Sequence, residues 1–420
     1  MALYGGDDVS ALVFDAGSHS FRAGYAGEEI PSIDIPSFIG VRNNDEHSIN
    51  GLKTTRETFI GGSEVYTPRK ETEIRTYMKD GLIEDWDLFE KVLDHVYDRS
   101  LGIESRYHGV LMSEAPWVSK EKREKLTELM FEKYNVPAFF TIKSPVLAAF
   151  SNGKSTGLVV DSGASQTYAA PVYDGYCLTQ AVVRSNIGGD TIVDQFEKHF
   201  EKEGIEIVAP YKIATKQETS TGEKAKWVEK KFDYQVTESF EKFMKKQVIE
   251  DVAASALHLI DNIENENLEA LTSYEYGFST GLNHEFKSER YKIAESLFNL
   301  KYLQAEDSIK ETLLDIPSVV VTSCSMADID MRHQLYSNVM VTGGNSLIEG
   351  FSERLNHGLA VKNSQTIKIR VQGQTTVLER KFGTWIGGSI SASLGSFQQL
   401  WISKMEYDES GKNIVEKKCA

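Results

Sequence analysis

The hydrophobic pattern of the chain repeats in outline. Two short apolar runs, ALVFDAGS over residues 11–18 and GLVVDSGA over residues 157–164, each end in an aspartate, a small residue and a glycine. An apolar run of this length predicts a buried strand, and Asp-x-Gly predicts a tight turn. β-prone stretches follow both turns, over residues 21–25 and 166–172. The sequence therefore predicts two similar halves, each beginning with a hairpin whose turn carries an acid.

Patterns typical of strands and helices alternate along the rest of the chain. Apolar runs predict strands over residues 110–112 and 339–341, and the segment YDGY over residues 173–176 predicts a hairpin turn. Apolar positions at helical spacing predict helices that follow Ser119, cover residues 191–200 and 237–260, and run from Gly343-Gly344 through Leu355. Strands interleaved with helices predict an α/β fold.

Two polar stretches lack such periodicity. Residues 42–67 contain Gly51, Gly61 and Gly62, and we expect a long loop there. Residues 212–246 are basic and poor in apolar side chains until the predicted helix begins, which is typical of a surface segment.

Composition narrows the class of protein. The 420 residues carry 46 Lys+Arg and 62 Asp+Glu, a formal net charge of −16. This length indicates two or more domains or one bilobal unit, and the acidity argues against binding nucleic acid through a general basic surface. Cys177, Cys324 and Cys419 form no CxxC pair, so we expect a reducing compartment, the cytosol or the nucleus. With no signal-peptide pattern and no membrane-length apolar run, we expect a soluble intracellular protein.

The two Asp-x-Gly turns are the candidate chemistry. If they face each other, their backbone N–H groups can surround phosphates, and a carboxylate beside each turn can hold Mg²⁺. Either turn alone is common turn chemistry, but the matched pair, with Gly343-Gly344 as a third wall, predicts a nucleotide cleft.

Other chemistries find little support. The Gly-Lys-Ser at residues 153–155 lacks the first glycine of a P-loop, because Ala148 occupies that position, and it precedes its strand. There is no Gly-x-Ser-x-Gly, no His-Glu-x-x-His, and the nine histidines show no ligand spacing. The small-residue segment 385–394 predicts either close helix packing or the wall of a groove for a partner helix, and the pattern leaves both open.

Five segments of the chain match one known family: DAGSHSFRAGYAG at residues 15–27, LMSEAP at 111–116, DSG at 161–163, residues 385–403 and VEKKC at 415–419. On these segments the sequence resembles the actin family over nearly its whole length. Within the family, residues 4–7, 120–132 and the altered segment 42–67 are most similar to the nuclear actin-related proteins of SWI/SNF-type remodelling and histone-acetyltransferase complexes.

The resemblance implies an α/β actin-like ATPase fold with two related lobes around a nucleotide cleft. It divides the chain into a first lobe, residues 1–150, with a small subdomain at about 38–80, and a second lobe, residues 151–384, with a small subdomain at about 190–280. Residues 385–420 would return to the first lobe.

The resemblance also implies a binding site for ATP and Mg²⁺. Asp15 and Asp161 would face the metal, and Arg22 replaces the family's phosphate-contacting lysine. The other residues implied at the phosphates are Gly17, Ser18, His19, Ser162, Gly163 and Ala164. Those implied near the nucleoside are Gly189, Lys242, Lys245, Gly343, Gly344 and Lys381.

Departures from the family bear on hydrolysis. Its water-positioning glutamine aligns with Ser144, a loop aspartate with Ala164, and a nearby histidine with Tyr168. His19 replaces a glycine, which suggests a positive φ at that position. Because hydrolysis needs an oriented water and intact charge compensation, we expect ATP to bind with little or no turnover, and the protein not to act as an enzyme.

The resemblance further implies a nuclear scaffold that receives a basic helix of a remodeller ATPase subunit. The implied groove residues are Phe150, Ser155, Gly175, Ile386, Ile390, Leu394 and Leu400. A second actin-family protein would share the complex, histone contact stays open, and sequence-specific DNA binding and membrane association are not expected. The alternatives are an active ATPase of the wider fold, such as a sugar kinase or chaperone relative, and a cytoskeletal filament protein.

Overall fold

The computed structural model describes residues 11–48, 51–364 and 366–419. Residues 4–7, which contribute to the family resemblance, lie outside the described residues. The strands are β1 Leu12–Ala16, β2 Ser20–Tyr25, β3 Ile33–Pro36, β4 Phe38–Ser48, β5 Gly51–Phe59, β6 Glu73–Thr76, β7 Met78–Lys79, β8 Leu82–Ile83, β9 Val110–Glu114, β10 Ala138–Lys143, β11 Gly157–Ser162, β12 Thr167–Tyr173, β13 Tyr176–Cys177, β14 Val183–Ser185, β15 Ile213–Gln217, β16 Lys226–Glu229, β17 Tyr274–Gly277, β18 Asn283–Phe286, β19 Val339–Thr342, β20 Val371–Gly373 and β21 Ile402–Ser403.

The α-helices surround these strands. They are α1 Gly62–Val65, α2 Trp86–His95, α3 Lys120–Glu128, α4 Ser144–Ser151, α5 Gly189–Glu203, α6 Glu238–Ala256, α7 Glu289–Glu295, α8 Asp307–Lys310, α9 Ile316–Met326, α10 Ile329–Tyr336, α11 Phe351–Lys362, α12 Val377–Lys381, α13 Gly383–Ser393, α14 Lys404–Ser410 and α15 Ile414–Lys418. Among the described residues, no helix combines the length and apolarity that a membrane span requires.

Two large sheets repeat one arrangement. The first has the order β21-β10-β9-β1-β2-β3, and the second has the order β13-β12-β11-β19-β20, with β14 also paired to β12. In the first sheet β1 forms an antiparallel hairpin with β2 and pairs parallel with β9, which pairs parallel with β10. In the second sheet β11 forms an antiparallel hairpin with β12 and pairs parallel with β19, which pairs parallel with β20. The predicted internal repeat and the α/β class are confirmed.

The hairpin turns repeat as well. The amide of Gly17 donates to the carbonyl of Ser20 at 3.0 Å, and the amide of Gly163 donates to the carbonyl of Gln166 at 3.0 Å. Each turn therefore folds back by the same hydrogen bond, and each places its aspartate at the carboxyl end of a buried strand.

Each sheet has its own apolar core. Large buried rings such as Phe14 and Phe89 belong to the first core, and Phe196 and Phe351 belong to the second. A smaller cluster joins the two halves through α4, and its members are Val146, Ala148, Ala149, Val159, Val172 and Met340. The halves therefore pack directly on each other at this end of the cleft.

The C-terminal segment packs on the first half. Strand β21 pairs antiparallel with β10. Inside this contact, the buried Arg123 guanidinium lies 3.0 Å from Glu114 and 2.5 Å from Glu416, and it also donates to the carbonyl of Cys419. Buried ion pairs need several partners to offset their loss of hydration, and this network provides them.

Several sequence predictions fail at element boundaries. Residues 42–67, expected to be a loop, form most of the β4–β5 hairpin and then α1. The helix predicted over residues 237–260 ends at Ala256, because Leu257 adopts an extended backbone. Gly343-Gly344 begins a 3₁₀ turn, Gly344–Leu347, and the α-helix starts only at Phe351.

Helix α13 packs closely on α4 and β1 through two glycines. A Cβ atom on Gly387 would lie 1.9 Å from the carbonyl oxygen of Leu147, and one on Gly388 would lie 2.7 Å from Val13 Cγ1. The outward face of the same helix carries Ile390, which is 42% exposed. The inner face of segment 385–394 is thus closely packed, and its outer face exposes apolar side chains to solvent.

Gly387→Ala should therefore destabilise the protein by about 3 kcal/mol or more, because the methyl group would overlap backbone that cannot move aside. Denaturant unfolding checks this value. Gly395→Ala is the matched control, since a Cβ there meets nothing within 4 Å, and it should change the free energy of unfolding by less than about 0.5 kcal/mol. Equal stability of the two variants would contradict the packing argument.

Candidate functional site

A cleft of about 620 Å³ lies between the two halves. It brings together residues that are far apart in the sequence and that the sequence predicts at a nucleotide site. Those lining it are Asp15, Gly17, Ser18, His19, Arg22, Ser144, Asp161, Gly163, Ala164, Tyr168, Gly189, Gly343, Gly344 and Lys381.

The two turns meet at the cleft. Ser18 Oγ and Ser165 Oγ lie 3.0 Å apart, which joins the turn of one half to the turn of the other. The side-chain amide of Asn345 donates to the Gly163 carbonyl at 2.8 Å, so the 3₁₀ turn after β19 is bonded to the second hairpin turn. Gly343 completes this junction with φ near 88°, and a Cβ there would lie 2.4 Å from Asp161 Oδ1. Only glycine fits that position.

Ser162 does not line the cleft, contrary to its predicted role at the phosphates. Its side chain is fully buried below the turn, and its hydroxyl lies 2.8 Å from Thr167 Oγ1 and accepts from Asn345 Nδ2 at 3.1 Å. The side chain of Ser162 therefore supports the turn from inside, because it points to the core face of its strand.

Lys242 and Lys245 also lie away from the cleft-lining residues. Lys242 is exposed, and Lys245 pairs with Glu241 at 3.0 Å on the outer surface of α6. The part of α6 that does face the cleft is its C-terminal portion, through Glu250, Ala253 and Ala254. Lys245 and Lys242 lie five and eight residues before Glu250, about one and a half and two turns of the helix. The prediction for both fails because the sequence register of this segment is poorly defined.

The first aspartate is charge-compensated. Asp15 accepts from Arg22 Nη1 at 2.9 Å and from Ser113 Oγ at 2.5 Å. Arg22 also lies 3.7 Å from Asp34, which in turn accepts from Lys381 Nζ at 2.8 Å. This chain of charges crosses the cleft, since Lys381 comes from α12 of the second half and Asp34 from β3 of the first.

The second aspartate is less well compensated. The pKa of Asp161 is raised to about 6, mainly by burial. The nearby charge of Asp15 acts in the same direction, whereas a hydrogen bond from Tyr168 at 3.2 Å and the charge of Arg22 oppose the shift. A divalent cation placed beside both carboxylates would remove this penalty. Carboxylate oxygens are the ligands that Mg²⁺ prefers, so the pair fits the predicted metal.

The rest of the lining fits a nucleotide. Gln166 Oε1 is buried without a hydrogen-bond partner among the described residues and belongs to the cleft wall, so it remains available to a ligand donor. The opposite wall is apolar and suits a flat base. Its members are Ile192, Val193, Ala253, Ala254, Leu257, Leu347 and Ile348.

Two of the three residues at the altered hydrolytic positions, Ser144 and Tyr168, bond to each other. Ser144 Oγ lies 2.9 Å from the hydroxyl of Tyr168, which donates to Asp161. The ring of Trp117 packs edge-on against Tyr168 at a centroid distance of 5.1 Å. Ser144, Tyr168 and Asp161 therefore form one hydrogen-bonded chain on the cleft wall, called the Ser-Tyr-Asp chain below.

The backbone at His19 is ordinary. Its φ is not positive, so the expectation drawn from the replaced glycine is wrong. The side chain turns across the cleft instead, where Nδ1 lies 3.8 Å from Glu250 Oε1 of α6. The replacement adds a contact between the halves without straining the first turn.

Sequence reasoning missed Trp117, Gln166 and Asn345. Gln166 closes the second hairpin turn and Asn345 lies in the 3₁₀ turn after β19, whereas Trp117 belongs to neither turn. The one available signal was that Gln166 lies three positions after Gly163 and Asn345 lies two positions after Gly343.

A separate contact closes the outer end of the cleft. Phe38 and Tyr66 of the first half pack on Phe243 of α6, with ring centroids 5.2 and 5.5 Å apart, and the Tyr66 ring is stacked within 10°. A hydrogen bond from Thr237 Oγ1 to the Thr72 carbonyl, 2.6 Å long, reinforces the contact. We call Phe38, Tyr66 and Phe243 the aromatic clamp.

The predicted groove residues lie at the other end, around α4 and α13. Gly175 N donates to the Ser155 carbonyl at 2.8 Å, and a Cβ on Gly175 would lie 3.5 Å from Phe150, so these three residues form one patch. Helix α13, which carries Ile386 and Ile390, packs on α4 beside them. The remaining apolar groove residues, Leu394 and Leu400, are 51% and 49% exposed.

Comparison with known proteins identifies the family of this fold and cleft. The sequence profile of the Actin family matches residues 6–420. The chain belongs to the actin family. It is similar to proteins named Actin-related protein 4 from Arabidopsis thaliana, 36% identical over 443 residues (99% of this chain, 100% of the relative), from Oryza sativa subsp. japonica, 36% identical over 448 residues (99% and 100%), and from Neurospora crassa, 34% identical over 468 residues (99% and 97%).

The raised pKa of Asp161 predicts that the stability of the protein depends on pH. Because this pKa is about 6 in the folded protein and near 3.8 when unfolded, the destabilisation caused by ionised Asp161 is absent below pH 4 and complete above pH 6. Without added nucleotide or divalent cation, Asp161→Asn should stabilise the protein on the order of 1–3 kcal/mol at pH 8. Unfolding curves between pH 4 and pH 8 should show this gain shrink as the pH falls.

Asp34→Asn is the control of opposite sign. Burial tends to raise the pKa of Asp34, but hydrogen bonds from Lys381 and Ser20 and the charge of Arg22 outweigh it, and the pKa is lowered. Its ionised form stabilises the fold above the unfolded pKa, so this variant should lose stability at pH 8 and recover relative to the native chain in acid. The same sign for both variants would contradict the assignment.

Proposed function

We propose that this actin-family protein is a non-filamentous scaffold subunit of nuclear chromatin-remodelling or histone-acetyltransferase complexes, that it binds ATP and Mg²⁺ with little or no hydrolysis, and that it docks a basic helix of the remodeller ATPase subunit. The observation that carries the proposal is the Ser-Tyr-Asp chain. It keeps a carboxylate at the predicted metal position, and it bonds together Ser144 and Tyr168, which replace the groups that the family uses to orient water.

The residues that match the family support nucleotide binding. Asp15 and Asp161 supply the charge for Mg²⁺, the two glycine turns supply backbone N–H groups, and the apolar wall suits adenine. A ligand that contacts both halves stabilises the folded, closed protein by mass action, as any ligand of the native state does. The nucleotide acts as a structural ligand in this proposal.

The positions that differ from the family support the expectation of weak hydrolysis. An attacking water needs an acceptor or amide held at a defined position, and a preorganised group of this kind is worth several kcal/mol. The short side chain of Ser144 is bonded to Tyr168, and Tyr168 is bonded to Asp161. Ala164 replaces the family's loop aspartate and offers no side-chain acceptor. The protein can thus hold the phosphates without preparing water for attack.

The test measures binding and turnover separately. Mg²⁺-ATP should raise the midpoint of thermal unfolding, and purified protein should release phosphate no faster than a buffer blank. Asp15→Asn is the control for binding and should lose most of the thermal shift, because it removes a metal-facing charge. Phosphate release at the rate of actin, measured in parallel, would favour the active-ATPase alternative, and absence of any ATP-dependent shift would contradict nucleotide binding.

The proposed helix partner rests on the groove and on charge. Ile390, Leu394 and Leu400 expose apolar surface on one end of a protein whose formal net charge is −16. An amphipathic helix lays its apolar side in such a groove, and a basic opposite side is attracted to an acidic body. In this arrangement DNA contact belongs to other subunits, a second actin-family protein shares the complex, and histone contact is left to be tested.

Ile390→Asp should weaken recovery of the remodeller ATPase subunit from nuclear extract by roughly 100-fold, about 2.7 kcal/mol, because the charge would enter an apolar contact. Quantitative mass spectrometry of affinity-purified material measures the loss. Val361→Asp is the matched control, since Val361 is 72% exposed on α11, away from the groove residues. Equal loss for both variants, or none for Ile390→Asp, would reject the groove.

The same preparation tests the alternative that the protein forms cytoskeletal filaments. In Mg²⁺-ATP the protein should stay in the supernatant during high-speed sedimentation at concentrations where actin pellets. Recovery of chromatin-complex subunits from nuclear extract supports the scaffold assignment, and a pelleting protein without those subunits rejects it.

A further inference from the structure

Three potential metal ligands converge in the second half, outside the nucleotide cleft. They are His199 on α5, His284 on β18 and Glu289 at the beginning of α7. Each offers one ligand atom, and these atoms all lie within 4.8 Å of one another. None of the three lines the cleft. The fold therefore assembles a group that the spacing of the histidines in the sequence did not reveal.

The two imidazoles are left with unused nitrogens. The Nε2 atoms of His199 and His284 are both buried and have no hydrogen-bond partner among the described residues. Phe286 packs against both rings, with centroids 4.6 Å from His284 and 6.4 Å from His199, so its apolar ring offers no substitute partner. Buried nitrogens without partners are uncommon in folded proteins, and two of them in one cluster point to a shared ligand.

The carboxylate is held in place. Glu289 Oε1 accepts from the backbone amide of Lys287 at 2.7 Å, which fixes the side chain and leaves Oε2 without a partner in the described part of the chain. A hydrogen bond to one oxygen of a ligating carboxylate orients the other toward the ion.

We propose that His199, His284 and Glu289 form a site for Zn²⁺ or a similar divalent transition-metal ion. Imidazole nitrogens and a carboxylate oxygen are ligands that Zn²⁺ accepts, with bond lengths of about 2.0–2.2 Å, so a small inward movement of the side chains completes the site. Three protein ligands leave a fourth position for water or for a ligand from another molecule.

The two sites of the protein would select different ions. The nucleotide cleft offers oxygen ligands, which suit Mg²⁺, whereas the histidine cluster offers nitrogen ligands, which favour Zn²⁺, Co²⁺ or Ni²⁺. A bound ion at the histidine cluster would connect α5, the β17–β18 hairpin and α7. Its expected effect is to stabilise this part of the second half, independently of nucleotide.

The experiment uses the full chain, stripped of metal with a chelator that is then removed. Titration with Co²⁺ should give a visible ligand-field absorption that saturates at one equivalent, and Zn²⁺ should displace Co²⁺ and raise the unfolding midpoint. Excess Mg²⁺-ATP should leave the Co²⁺ spectrum unchanged. Absence of a saturable spectrum at micromolar Co²⁺, or its loss with Mg²⁺-ATP, would overturn the proposal.

Variants locate the ion. His284→Ala and Glu289→Gln should each weaken Co²⁺ and Zn²⁺ affinity about 100-fold or more, because each removes a direct ligand, a change at least as severe as loss of a supporting contact. Glu289→Gln keeps the size of the side chain and serves if His284→Ala fails to fold by circular dichroism. The matched control is His258→Ala, which removes a histidine paired with Glu349 at 3.0 Å outside the cluster, and it should bind as the native chain does. Unchanged affinity in Glu289→Gln, or equal weakening in His258→Ala, would overturn the assignment.

Discussion

The structure is organised around two carboxylates of like charge that share one cleft. Asp15 and Asp161 arrive from the two repeated hairpins, so their proximity is a direct consequence of how the halves face each other. The protein compensates them unequally. Arg22 and Ser113 support the first, whereas the second has a tyrosine hydroxyl and a raised pKa. Asp161, whose ionised form is the less stabilised of the two, is therefore the carboxylate that a bound cation would stabilise more.

Much of the fold and part of the site follow from sequence, and the failures have physical causes. Both Asp-x-Gly hairpins were predictable because a buried strand and a tight turn are local features. The side of α6 that faces the cleft was not, since a long amphipathic helix does not reveal which of its turns meets a ligand. The polar residues 42–67 suggested a loop, although Asn50-Gly51 is a hairpin signal and the threonines that follow favour strands. The pairing of His199 with His284 depends on how a hairpin packs on α5, which spacing cannot show.

Helix α13 reconciles two interpretations of one segment. Its glycines allow backbone contact with α4, and its outward side chains remain exposed. The contact at Gly387 leaves no room for the helix to rotate or slide. An apolar surface carried by such a helix is already in place before any partner arrives, so little of the free energy of association is lost to ordering it.

The strength of the contact at the aromatic clamp depends on temperature. Separating Phe38 and Tyr66 from Phe243 would expose their rings to water, so opening at this end carries a positive change in heat capacity. Because attraction between apolar surfaces weakens on cooling, this contact holds the two halves together less firmly in the cold than at physiological temperature. Any ligand exchange that required this end to separate would therefore depend on temperature through the aromatic clamp, in addition to any dependence of the binding groups themselves.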